Sequence, residues 1–379
     1  MREENKLLVY YHDRLVGTLA QTERKMIAFA YADEWLENGF SISPFSLPLK
    51  KQVFVPVKHY FGGLFGVFAD SLPDAWGNVL LNRVLKKNGV VSGEIGALDR
   101  LAIVGDSGMG ALSYKPIKTY PGEMAFLSLD ELARQCKEML NTGDSKDLDE
   151  LYRLGCTSGG ARPKVMVEME GQSWIIKFPA HVDAAESGFM EYEYARCARL
   201  CGIYMTQTKL FPSEECLGYF GTRRFDRKPM QGSGAEQRVH MLTAAALLEL
   251  DFTQPSLDYH ALMKLTKILT RDNKYDMEQM YRRMCFNVFA HNRDDHSKNF
   301  SYLYDEAKGM WRLSPAYDLT YSNTYYGEHT TTVDGNGRNP GHKEVVAVGV
   351  KAGLNKAWCE KCAKEIEECV KEELRAYVE

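Results

Sequence analysis

Polar and apolar positions alternate early in the chain. Leu7 to Tyr11 and Leu15 to Leu19 read as strands joined by a turn at His12 to Arg14. The period becomes helical from Trp76 to Lys87, and a Gly-rich turn follows at Gly105 to Gly110. Residues 130 to 154 read as a helix and an acidic loop. Val165 to Met169 alternates again, a turn at Glu170 to Gln172 follows, and Ser173 to Lys177 forms a second strand. Phe189, Tyr192, Ala195 and Leu200 recur at helical spacing through 186 to 201. From His240 onward helices dominate, at Met241 to Leu250, Leu257 to Leu269 and Met277 to Ala290. Strands Phe300 to Tyr304 and Met310 to Leu313 flank a turn at Asp305 to Gly309, whereas the polar residues 323 to 345 read as a loop. Punctuation divides the chain into 1–116, 117–230 with a linker at 117–130, and 231–379. The class is α+β.

Candidate chemistry concentrates in His291-Asn-Arg-Asp-Asp-His-Ser-Lys-Asn299. Asp294 and Asn299 have the Asp-x-x-x-x-Asn spacing of a phosphotransferase catalytic loop. One carboxylate orients an attacking hydroxyl and accepts its proton, while an amide a short loop away holds a metal ion on the nucleotide phosphates. Asp318, beyond the hairpin, returns to the same end as a second metal ligand. Such spacing is common by chance, because Asp and Asn favour loops. Upstream parts change that. Gly155 to Lys164 is a small-residue run whose backbone amides can approach phosphate. Lys177 lies inside an apolar strand and needs a partner, and the following helix supplies Glu191 and Glu193. Strand lysine, helix glutamate, catalytic Asp and Asn, and a later metal-binding Asp come in the order of a kinase site.

These residues resemble the HipA family of bacterial serine/threonine protein kinases, the toxins of HipBA-type toxin–antitoxin modules. The resemblance rests on Thr157 to Lys164, Trp174-Ile-Ile-Lys177-Phe-Pro, Glu191-Tyr-Glu with Cys201-Gly-Ile, and Arg224-Phe-Asp-Arg227. Asp294 to Asn299 and Ser314-Pro-Ala-Tyr-Asp318-Leu complete the C-terminal series. Gly17-Thr-Leu, Phe68 to Gly77 and Asp106 to Leu112 extend it over the N-terminal part.

The resemblance implies a protein-kinase-like two-lobed fold, with a β-rich N-terminal subdomain and a mainly helical C-lobe. It implies Asp294 as catalytic base, Asn299 and Asp318 as Mg2+ ligands, and Lys177 on the ATP phosphates, paired with Glu191. The nucleotide site would also include Thr157, Ser158, Gly159, Gly160, Ala161, Lys164 and His296, the last as a hydrogen-bonding residue rather than a second base. Thr157 or Ser158 would be autophosphorylated, shutting the kinase down. A phosphate there adds about two negative charges beside a site built for ATP. The implied partners are a HipB-like helix-turn-helix antitoxin, which brings any DNA contact, and a protein substrate of the aminoacyl-tRNA synthetase class.

Composition narrows the picture further. The 379 residues are 45% hydrophobic and carry a formal net charge of -4, so nothing advertises direct nucleic-acid binding. No run of 18 apolar residues occurs, and the first twenty residues are rich in charge, which argues against a signal peptide or membrane span. Nine scattered cysteines fit a reduced, cytoplasmic protein, with Cys359 and Cys362 read as helix thiols rather than zinc ligands. Trp174 reads either as core or as an adenine-stacking ring, and Arg224, Asp226 and Arg227 as an ion-pair network or a nucleotide edge. Two other functions stand beside the kinase. One is a catalytically silent kinase-fold binding module; the other is a metal-dependent phosphohydrolase using His291, Asp294, Asp295 and His296.

Overall fold

In the computed structural model, the first alternating stretches form β1 (Lys6–Tyr11) and β2 (Arg14–Gln21), an antiparallel pair turned at His12, whose φ is 52°. Leu7, Val9 and Tyr11 are buried and the residues between them are not, as a one-sided sheet requires. The structure describes residues 5–120, 127–157, 159–180, 186–230, 232, 234–324 and 326–379, so part of the expected linker lies outside it. They form two units. The first is Met1–Gly188 with Leu210–Leu242 and Ala246–Glu249; the second is Phe189–Lys209 with Thr243–Ala245 and Leu250–Glu379.

In the first unit, β3 (Ile27–Tyr31), β4 (Val53–Phe54) and β5 (Leu112–Lys115) complete an antiparallel sheet ordered β4-β3-β2-β1-β5. Helix α1 (Ala75–Lys87) carries two apolar stripes. Leu81 and Leu85 pack with Ile103 of α2 (Ala97–Val104). Trp76, Leu80 and Val84 pack with Leu132, Cys136 and Met139 of α3 (Leu129–Thr142) and Leu151 of α4 (Leu148–Gly155). The same cluster takes in Val165, Trp174 and Ile176 of a second sheet, formed by β6 (Lys164–Met169), β7 (Gln172–Lys177), β8 (Thr208–Phe211) and β9 (Tyr219–Arg223) in the order β6-β7-β9-β8. Helix α1 therefore packs toward the second sheet through one cluster and toward α2 through the other. Trp174 is 5% exposed and meets Phe211 edge-on at 5.5 Å, so its ring is core.

The expected helix and acidic loop are both present, the loop being residues 143–147 with Asp144 and Asp147, and a second helix follows them. Asp149 and Glu150 occupy the first turn of α4, where carboxylates complement the helix dipole. Ahead of it, α3 starts at a capping box: Glu131 N–H donates to Ser128 Oγ at 3.2 Å and Ser128 N–H to Glu131 Oε2 at 2.7 Å.

His240 is fully buried in this unit. Its Nε2 donates to the Ile42 carbonyl at 2.8 Å, and burial pulls its pKa from 6.5 down to about 4. The unfolded chain takes up this proton near 6.5 and the folded chain only near 4, so stability falls as pH drops through that window. The loss is on the order of 3 kcal/mol once both forms are protonated. Melting between pH 7 and pH 4.5 is therefore expected to fall more steeply for the wild type than for His240→Gln; parallel curves would contradict this.

The second unit is mainly helical: α5 (Ser187–Leu200), α6 (Tyr259–Leu269), α7 (Lys274–Phe289), α8 (His342–Ala352) and α9 (Lys356–Glu373), with the hairpin β10 (Ser301–Asp305) and β11 (Met310–Leu313). Two helices begin later than their periodicity suggests. Met241–Thr243 is strand, and helix runs only from Ala244 to Leu248. Leu257–Asp258 is strand as well, because Asp258 caps α6 by accepting His260 N–H at 2.8 Å. Helix α7 is central and largely buried. Its Gln279 side chain spans Gly202 O and Tyr204 N–H at 2.9 and 2.7 Å, and its Tyr281 hydroxyl donates to Cys359 O at 3.0 Å. Cys359 and Cys362 are buried on α9, and all nine cysteines are free thiols.

Candidate active site

The phosphate-loop candidates belong to the first unit. Chain leaving α4 passes Thr157 and returns as β6 at Lys164. Gly77 on α1 allows the close approach, since a Cβ there would stand 1.9 Å from Cys156 O. Gly160 adopts φ 89°, a conformation that favours glycine. Its N–H donates to Asp74 Oδ2 at 3.0 Å and its carbonyl accepts from Trp76 N–H at 3.3 Å. Lys164 Nζ donates to Gly159 O, and Trp76 Nε1 to Lys164 O at 3.1 Å. Thr157 is 5% exposed, and its hydroxyl donates to Ser107 O at 2.8 Å. Gly159 and Ala161 are exposed. Ser158 lies outside the described residues.

Lys164 and Lys177 are direct cross-strand partners on β6 and β7, so their side chains leave the same face of the hairpin. Lys164 is buried, while Lys177 is half-buried with Nζ 5.7 Å from the Phe220 ring centre. Like charges in directly opposed positions repel. Two such cations beside a glycine loop can hold a polyanion.

Arg224, Asp226 and Arg227, also in this unit, form an ion-pair network. Arg224 is bidentate on Asp226 at 2.9 and 2.8 Å, Arg227 Nη1 donates at 2.7 Å and Gly110 N–H at 2.8 Å. Burial pushes the Asp226 carboxyl up, but the two guanidiniums more than offset it and hold it well below the usual range. Arg238 adds bonds to the carbonyls of Gly110 and Leu112, both at 2.9 Å. The cluster fastens the 106–112 turn.

The second unit carries the catalytic-loop candidates. Past the Ala290 cap of α7, His291 turns the chain at φ 52°. Asp294 is exposed, with a side-chain exposure of 58%, and its Oδ1 lies 3.9 Å from His296 Nε2. Asn299 Nδ2 donates to Asp294 O at 2.8 Å, leaving the Asn299 amide oxygen as the acceptor end. Asp318 adopts φ 52°, and its carbonyl accepts from Asn292 Nδ2 at 3.3 Å. Positive φ outside glycine is uncommon, and such backbone clusters at functional sites. A carboxylate and an amide oxygen are the hard donors Mg2+ prefers, so Asp318 and Asn299 fit that ion. Of the two helix glutamates, Glu191 is 3% exposed, whereas Glu193 pairs with Arg196 at 3.1 Å on the surface.

Residues whose supporting role was not legible from spacing hold this loop in place. Asp295 is fully buried and accepts from the Tyr259 hydroxyl at 2.9 Å, His329 Nδ1 at 3.1 Å and Thr331 N–H at 3.0 Å. Tyr259 in turn accepts from Asn287 Nδ2 at 2.8 Å, and Asn292 Nδ2 donates to Asn287 Oδ1 at 2.9 Å. Arg283 donates to Ser314 O, and the Tyr317 hydroxyl to Lys298 O at 2.6 Å. One signal was available: Arg283 and Asn287 are polar residues within the apolar pattern of α7. Asp295 is thereby committed to structure. Among the described residues, His291, Asp294, Asp295 and His296 bring no three ligating atoms together, so the hydrolase reading finds no support.

Residues 156–374 match the family model described as the HipA-like C-terminal domain, and residues 7–115 match the HipA N-terminal domain. Two proteins of Sinorhizobium fredii (strain NBRC 101917 / NGR234), both named as candidate kinases, are similar to the chain. Y4mE is 25% identical over 349 residues, 84% of this chain and 78% of that protein. Y4dM is 28% identical over 186 residues, 45% of this chain and 42% of that protein, so the chain spans less than half of Y4dM. Among solved structures, HipA of Shewanella oneidensis MR-1, in complex with HipB and operator DNA, aligns with a TM-score of 0.72. That alignment has 17% identity and covers 98% of this chain and 90% of the other. The likeness shows the fold, the α+β architecture of HipA. No helix among the described residues is long and apolar enough to cross a membrane.

Proposed function

From the premise that this chain belongs to the HipA family, we propose that it is an ATP- and Mg2+-dependent serine/threonine protein kinase, the toxin half of a toxin–antitoxin pair. Asp294 orients the acceptor hydroxyl and takes its proton. Asn299 and Asp318 hold the metal, which when bound offsets charge on the phosphates. Lys164, Lys177 and the loop from Thr157 to Ala161 bind those phosphates, Glu191 positions Lys177, and His296 serves as a hydrogen-bonding residue of the site. An anion in the loop competes with Asp74 for the Gly160 amide. The carrying observation is the opposed pair Lys164 and Lys177 beside that loop. Lys177→Met is expected to weaken ATP binding about tenfold or more, the cost of one charge-assisted phosphate contact. Thermal shift against ATP–Mg2+ reads this, and an unchanged apparent affinity would overturn the assignment.

Autophosphorylation at Thr157 or Ser158 is the proposed off-switch. Thr157 must release Ser107 O to act as acceptor, and a phosphate there repels both Asp74 and incoming ATP. The proposed antitoxin is a small HipB-like helix-turn-helix protein that supplies the DNA contact. It is supported by the HipB and operator DNA bound to the Shewanella structure and by the chain's own net negative charge. The proposed substrate is a protein hydroxyl, with aminoacyl-tRNA synthetases as the class to test first, and the proposed compartment is the cytoplasm.

A further inference from the structure

Three thiols in the second unit serve neither loop. Cys197 lies on α5, Cys201 follows one helical turn later just past its end, and Cys369 comes from α9. Their sulfur atoms all lie within 4.8 Å of one another, and among the described residues they are the one group that brings three ligating atoms together. Cys197 is fully buried, Cys201 is 5% exposed, and Cys369 is half-buried, which leaves a route from solvent.

We propose that Cys197, Cys201 and Cys369 bind one thiophilic metal cation of the Zn2+ class. Cys201 N–H donates to the Cys197 carbonyl at 2.9 Å, so the turn that closes α5 keeps residues i and i+4 on one face as a chelating pair, and the third ligand closes the site from α9. Tetrahedral thiolate ligation at about 2.3 Å sets sulfurs ~3.8 Å apart, within reach of small side-chain adjustments here. Binding releases three thiol protons to solvent, and three thiolates around a dication leave one net negative charge. Arg196, next to Cys197, bonds Glu193 at 3.1 Å and Glu373 of α9 at 2.6 Å, so a salt bridge already ties α5 to α9 beside the thiols. Cys359 and Cys362, despite their Cys-x-x-Cys spacing, belong to no such group.

The bound cation clips α5, the helix of Glu191, to α9. That clip is independent of phosphoryl transfer, so its test does not use kinase activity. The full chain, reduced with a phosphine, is titrated with Co2+ and then with Zn2+. The wild type is expected to show a thiolate-to-cobalt charge-transfer band that saturates at one equivalent and is displaced by Zn2+, with the melting temperature rising by a few degrees. Cys369→Ser loses the band and the rise, while the double variant Cys359→Ser, Cys362→Ser keeps both. Absence of the band in the wild type overturns the proposal without any variant, as does a band that Cys369→Ser leaves intact or the double variant removes.

Discussion

Asp294→Asn is expected to lower phosphoryl transfer about a thousandfold while leaving the melting temperature within a degree or two of wild type. The rate effect is that of removing a positioned general base, typically 10²- to 10⁴-fold. The stability forecast follows from exposure. The Asp294 side chain is 58% accessible, and its Oδ1 lies 3.9 Å from His296 Nε2. Asn299 donates to the Asp294 carbonyl, a backbone bond that the Asn variant retains. Initial rates of transfer to a protein acceptor, alongside thermal melts, check both halves. Near-wild-type transfer would remove Asp294 from the mechanism.

One residue later the consequence reverses. Asp295→Ala is expected to destabilise the second unit by about 3–5 kcal/mol, the usual cost of breaking a buried charged network from one side. Tyr259, His329 and Thr331 N–H all converge on that carboxylate, and each loses its acceptor in a site sealed from water. Activity is then lost through the fold. Denaturant unfolding gives the magnitude. A midpoint unchanged from wild type would mean that the network contributes no net stability. The pair separates chemistry from scaffolding at adjacent aspartates.

Much of this arrangement was legible from local pattern. The strands expected at β1, β2, β6 and β7 and the helices expected at α1, α5 and α7 match observed elements, most cleanly at β1, where buried and open residues alternate along the strand. Boundaries were less legible where a cap or a β-branched residue overrules hydrophobic spacing, as at Asp258 and Thr243. The candidate phosphate-loop and catalytic-loop residues stood out through spacing. Their supports did not. Asp74, Ser107 and His329 are distant in sequence from the residues they hold, and no local period marks a partner chosen by tertiary folding. The grouping of Cys369 with Cys197 and Cys201 is likewise visible only once α5 and α9 are placed.

The proposed function rests on transfer of a phosphoryl group from ATP to a hydroxyl through Asp294. Its most direct test is the intact mass of phosphatase-treated, repurified protein before and after ATP and Mg2+, run beside Asp294→Asn, with the added phosphate mapped by peptide. One added phosphate is expected in the wild type only, at Thr157 or Ser158. Equal gain by both proteins, or no gain by a wild type shown to bind ATP, would contradict it.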